Sequence, residues 1–177
     1  SLTTAINGSV AEQMRFDLEI QGEEITDYEV KQSRLERTVN VVKVLRSGSF
    51  SQESDGVPAG SFKITALDYA TYSQLFSFEL LEGSARELET AWDRGRYLVV
   101  TEEVAEALNT SLGSTVLLQG RSGKLPFKVL GIIEAGGYSA YISWNSYAQA
   151  LGNDRVTSLY LQLNDPALVE DTVAAVN

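Results

Sequence analysis

The stretch that decides the fold runs from Leu75 to Ile133: LFSFELLEG at 75–83, YLVVTEEVAEAL at 97–108, LGSTVLL at 112–118 and FKVLGII at 127–133. Its pieces predict an apolar turn, an extended segment stopping at Glu82-Gly83, a strand feeding a helix, and a hairpin. Tyr97 to Val100 is a continuous apolar run of strand length. Thr101 can cap the helix that follows, with Glu102 and Glu103 in its first turn favouring the macrodipole. Thr115 to Gln119 and Leu125 to Ile133 pair across Gly120-Arg121-Ser122-Gly123.

Upstream of this core, Leu2, Ile6 and Val10 recur every four residues, so residues 2–13 are expected to form a short amphipathic helix. Arg15 to Gln21 alternates, with Phe16, Leu18 and Ile20 on one face, and is expected to be a half-buried strand. Thr26 and Glu29 have capping-box spacing, with Ile25 and Val30 as a hydrophobic staple, which predicts a helix to about Arg37. Val39 to Leu45 is rich in β-branched residues and predicts a strand. Strand, helix and strand within about 30 residues imply a right-handed crossover between two parallel strands. Ser47 to Ser61 is rich in Ser and Gly, with Asp55 and Pro58 among them, and is read as a loop or a hairpin with a floppy tip. Phe62 to Leu67 follows as a strand, and Thr71 to Phe76 as a helical turn placing Tyr72, Leu75 and Phe76 inward. Ala85 to Trp92 is expected to be a helix ended by Gly95 at C′.

Downstream, Gly136-Gly137 is a break, Ala140 to Trp144 a strand, and Ser146 to Leu151 a short helix closed by Gly152. Val156 to Leu163 is a strand of alternating character. Asp165 caps a last helix with Pro166 at N1 and an apolar stripe of Val169, Val173 and Val176.

Composition narrows the chemistry. The 177 residues suffice for one large domain or two small ones. With 14 basic and 24 acidic residues the formal net charge is −10, which repels a nucleic-acid backbone, so no nucleic-acid partner is expected. The absence of Cys and His removes disulfides, thiolate nucleophiles, Cys/His zinc sites and imidazole-based triads. Gly120 to Lys124 lacks phosphate-loop spacing, since Leu125 stands where Ser or Thr is required. Gly137-Tyr138-Ser139 lacks the final Gly of a nucleophile elbow. Asn153-Asp154 and Asn164-Asp165 are read as turn and cap residues. No catalytic, cofactor-binding or metal-ligating residue is therefore assigned, and no cofactor is expected. The residues assigned to a candidate interaction surface are Tyr69, Tyr72, Tyr138 and Trp144, although packing alone would also account for aromatic residues at these positions.

The succession Phe78–Gly83, Leu98–Leu108, Leu112–Leu118, Phe127–Ile132 and Tyr141–Gly152 resembles the extracytoplasmic core domain of MacB/FtsX-type ABC transporter permeases, covering roughly half the chain in the family's order. Ser114 departs from the Asp usual after the Gly, and Asn109-Thr110-Ser111 replaces the compact turn. The resemblance implies an α+β fold of two parts. A porter-like βαβ subdomain would come from residues 14–61 and 152–177, with an inserted β-rich, sabre-like subdomain at 62–151. The helix at 1–13 would continue from a membrane span outside this sequence, and both chain ends would lie close together on one face. The implied function is non-catalytic: transmission of motion driven by a cytoplasmic ATPase subunit, on the outer side of a bacterial cell membrane. A second permease copy would be a partner, with an exported peptide, lipoprotein or antibiotic as cargo. A stand-alone cell-surface binding module and a small carboxylate hydrolase are the alternatives.

Overall fold

The computed structural model describes residues 3–6, 17–38, 40–70, 73 and 78–176. The chain divides into two units. One holds the described residues of Ser1–Ser47, Thr71–Ser77 and Arg155–Asn177; the other holds Gly48–Ala70 and Phe78–Asp154. The expected division at Ser61/Phe62 thus falls earlier, at Ser47/Gly48. The reason is a long strand, β3 (Val41–Glu53), whose second half pairs with β4 (Ser61–Leu67) from Gly48↔Ala66 to Glu53↔Ser61.

The terminal unit is an antiparallel sheet in the order β1-β2-β10-β3, built from β1 (Thr3–Ile6), β2 (Leu18–Gln21), β10 (Ser158–Leu163) and the first half of β3. Its core is Leu18, Ile20, Leu45, Leu159 and Leu161, each at most 1% exposed. The alternation read from Leu18 to Gln21 holds, with Leu18 and Ile20 buried and Glu19 between them. The expected helix over 2–13 does not form at its described end: Thr3 to Ile6 is a strand in register with Gln21 to Leu18. There the ladder offered by β2 outweighs a four-residue apolar repeat that Gly8 already weakens. Residues 7–13 lie outside the described residues, as do Arg15 and Phe16 of the expected strand.

Helix α1 (Tyr28–Glu36) connects β2 to β3. β2 and β3 run parallel, as expected, but they do not pair: β10 lies between them, antiparallel to both. This is a split βαβ arrangement. The expected capping box at Thr26 is also absent. The N-cap is Asp27, left-handed at φ 52° and without a side-chain cap bond. The Thr26 carbonyl accepts instead from Lys31 Nζ at 2.8 Å. Val30 is 51% exposed, so it does not staple onto the buried Ile25.

The second unit is a mixed sheet. β4 pairs in parallel with β9 (Ser139–Ser143), β9 antiparallel with β6 (Tyr97–Thr101), and β6 in parallel with β8 (Gly123–Ile133). β7 (Thr115–Gly120) flanks the first half of β8, and β5 (Leu80–Glu82) its last two residues. The hairpin turns at Arg121-Ser122, between Gly120 and Gly123, as the sequence predicts. Helix α2 (Ala85–Ala91) is capped by Ser84, whose Oγ accepts from the Glu87 N–H at 3.1 Å. It closes at Trp92 in a right-handed conformation, so Gly95 is not a left-handed C′ residue. Gly95 serves close packing: a Cβ there would meet the Tyr97 ring at 2.9 Å.

Helix α3 (Glu102–Ala107) starts where expected, and Thr101 Oγ1 accepts from the Val104 N–H. Ser146–Ala150 is a turn of π-helix closed by Gly152 at φ 63°. At the chain's end, Asp165 Oδ1 accepts from the Ala167 N–H at 3.0 Å, starting a 3₁₀ turn that leads into α4 (Val169–Val176). The side chains of its expected stripe, Val169, Val173 and Val176, lie outside the described residues. No helix among the described residues is long and apolar enough to cross a membrane.

Candidate interaction site

The second unit carries two ring clusters. Trp92, 1% exposed, donates its indole N–H to the Leu67 carbonyl at 3.1 Å. Tyr69 packs against Trp92 with ring centroids 5.8 Å apart, and Phe78 does so at 6.3 Å. Phe78 meets Tyr141 edge-on at 5.1 Å. Burial pushes the Tyr141 phenol above its ordinary value of 10.0. Burial, and then the charge of Glu89, does the same for Tyr69. Burial and the neighbouring Asp68 raise the Asp93 carboxyl above 3.8. In the other cluster Phe50 stacks on Tyr147 at 5.6 Å, and Trp144 meets Tyr147 edge-on at 5.1 Å.

Of the four aromatic residues expected at an interaction surface, Tyr69 and Trp144 lie in these clusters. Tyr69 is half-buried against Trp92, and Trp144 is buried at 9% exposure. Tyr138 is exposed, following Gly136 and Gly137, which both have positive φ, in the loop between β8 and β9. Tyr72 lies outside the described residues, with Leu75 and Phe76.

The remaining loops do structural work. Thr101 Oγ1, besides capping α3, accepts from the Ser139 N–H at 3.3 Å, so Ser139 enters a sheet strand. Lys124 is exposed on β8, next to the turn of the β7–β8 hairpin. No group of three or more acidic side chains able to hold a metal is found among the described residues.

A groove of about 680 Å³, not anticipated from the sequence, has Phe50 to Asp55 on one side and Leu117, Gln119 and Lys124 on the other. The Gln52 side chain bridges it. Gln52 Oε1 accepts from the Gln119 N–H at 3.1 Å, and Gln52 Nε2 donates to the Glu53 carbonyl at 3.2 Å. The signal hidden in Ser49-Phe50-Ser51-Gln52-Glu53 is a period-two pattern, with Phe50 and Gln52 on one face and small or charged residues on the other.

The fold resembles three solved structures. The extracellular domain of YknZ, an ABC-type transporter from Gram-positive bacteria, is 17% identical with a TM-score of 0.62, covering 85% of this chain and 79% of that one. The periplasmic region of MacB from Actinobacillus actinomycetemcomitans is 16% identical with a TM-score of 0.56, covering 88% and 72%. A domain of a putative permease from Porphyromonas gingivalis is 15% identical with a TM-score of 0.51, covering 88% and 70%. No curated protein matches the sequence. The MacB-like periplasmic core domain family matches residues 3–177, so this chain belongs to that family.

Proposed function

We propose that this chain is the extracytoplasmic domain of an ABC transporter permease and that it works without chemistry of its own, by carrying motion. The observation that carries the reading is the family match over residues 3–177. The terminal sheet supports the mechanical part. Segments near both ends of the chain, β1 and β10, are joined through β2 in one hydrogen-bonded ladder. A displacement applied to β1 or to β10 is therefore passed through the same ladder. In this reading the terminal unit is the porter-like part and the inserted unit the sabre-like part. The full protein is integral to the membrane, and a cytoplasmic ATPase subunit drives it. A second permease copy completes the pair, and Tyr138 is the exposed aromatic assigned to partner contact.

The test uses the full-length permease with its ATPase in lipid vesicles. A disulfide engineered between the extracytoplasmic domains of the two copies should slow ATP hydrolysis, and reduction should restore it. Hydrolysis and transport indifferent to such a tether would overturn the transmission role. A natural gene encoding no apolar span of about 20 residues on either side of this sequence would overturn the permease assignment itself.

A further inference from the structure

We propose that the slot between the outer edges of β3 and β7 is a strand-acceptor site for an extended segment of another polypeptide, with a basic side chain at the Glu53–Asp55 end. This does not rest on the transmission role proposed above.

In an antiparallel ladder, both polar groups of each residue point to one side, and the side alternates along the strand. The Ser54 N–H donates to the Gly60 carbonyl at 2.9 Å, so Ser54 faces the β4 arm of its hairpin. Ser51 and Glu53, of opposite parity, turn their backbone groups away from β4. On β7, the Gln119 N–H leaves β8 and donates to Gln52 Oε1. Leu117, of the same parity, shares that open edge, and its side chain is 55% exposed. β7 pairs with β8 alone among the described strands. Among the described residues, two edges without a strand partner therefore face one groove.

The spacing fits one more strand. Neighbouring strands lie about 4.8 Å apart, so two edges flanking a third strand stand about twice that distance apart. Here the separation is spanned by the length of a glutamine side chain. The Gln52 carboxamide accepts from the β7 N–H and donates to the β3 carbonyl of Glu53. These are the two bonds that an intervening peptide group would make. Gln52 thus blunts both edges in the way proteins guard exposed strands against unwanted pairing. An arriving strand replaces one side-chain amide with a row of backbone amides, the mode of recognition in β-augmentation.

Charge selects the occupant. Glu53 and Asp55 are exposed at one end of the groove, Lys124 stands on the opposite wall, and the chain as a whole carries −10. A cationic side chain is favoured beside the two carboxylates. Leu117 and Phe50 offer apolar contact to its neighbours.

The experiment titrates the isotopically labelled chain with the capped peptide acetyl-Lys-Thr-Val-Thr-Val-Thr-Lys-amide. Saturable hydrogen-exchange protection of the Glu53 and Leu117 amides by NMR is expected. Methylating alternate peptide nitrogens should weaken binding by about tenfold or more, because side chains are kept while ladder bonds are lost. Gln52→Ala should bind several-fold tighter, and Glu53→Lys with Asp55→Lys several-fold weaker. Leu117→Pro should remove protection on β7 while keeping the fold, since proline is tolerated where the N–H lies outside the ladder. If that variant does not fold, the methylated peptide still decides. Equal binding of the methylated peptide, protection mapping elsewhere, or edges already protected in a self-paired dimer would each overturn the proposal.

Discussion

Asn40 and Asp165 hold each other through a closed pair of hydrogen bonds. Asn40 Nδ2 donates to the Asp165 carbonyl at 3.0 Å, and the Asp165 N–H donates to Asn40 Oδ1 at 2.8 Å. The Asn164 N–H adds a bond to the Asn40 carbonyl at 2.7 Å. One side chain at the start of β3 thus fixes the turn that follows β10. Asn40→Ala removes these two side-chain bonds and the one that Nδ2 donates to Thr172 Oγ1 at 3.2 Å, and should cost about 1–2 kcal/mol, given partial exposure. Asn40→Asp keeps the acceptor and loses the donor, so it should fall between the two. Urea midpoints at unchanged slope check both.

Trp92 anchors the ring cluster through the Leu67 carbonyl. Trp92→Phe should destabilise by roughly 1–3 kcal/mol, because it deletes volume and a buried bond together. Trp92→Ala should cost about 3–5 kcal/mol. Loss of near-ultraviolet circular dichroism before loss of the far-ultraviolet signal would locate the damage in the packing.

Gly83 has φ +100°, and a Cβ there would meet the Leu130 carbonyl oxygen at 2.6 Å. Gly83→Ala should therefore cost roughly 1–3 kcal/mol. Gly60 separates the two causes: its φ is +77° but nothing lies within 4 Å. Gly60→Ala should cost less, and the difference measures the clash.

The raised Tyr141 phenol gives a signed pH dependence. The unfolded group titrates near 10.0 and the folded one higher, so the folded state holds its proton longer. The stability from this group is complete below pH 10.0 and is lost as pH rises through the folded value. Tyr141→Phe should flatten that alkaline decline. Chemical denaturation on either side of pH 10.0 reads the difference.

What the sequence made legible was local. Leu98 to Val100 and Phe127 to Ile133 are apolar enough to declare themselves strands, and the Gly120–Gly123 turn sets its own hairpin. Thr101 and Asp165 act as caps because their bonds lie within three residues. What stayed hidden depends on partners distant in sequence. Thr3 to Ile6 becomes a strand because β2 is there to pair with it. The second half of β3 reads as a loop until β4 lies beside it. Asp27 displaces Thr26 as cap through a left-handed backbone that spacing rules do not anticipate. The groove rests on Gln52 meeting Gln119 from another strand.

The place of β10 has a consequence for the order of folding. β2 and β3 flank it, so the terminal sheet lacks its middle strand until residues 158–163 are available. Gly48 to Asp154, by contrast, holds the whole inserted sheet within one nearly continuous stretch. Domains fold as units once their residues have emerged, and contacts of large sequence separation form slowly. The inserted unit is therefore the early folder, and α1 with β2 waits unpaired on the β10 side while it forms. During synthesis or export, the terminal sheet is thus the aggregation-exposed part of the chain, and it closes only when the last strand arrives.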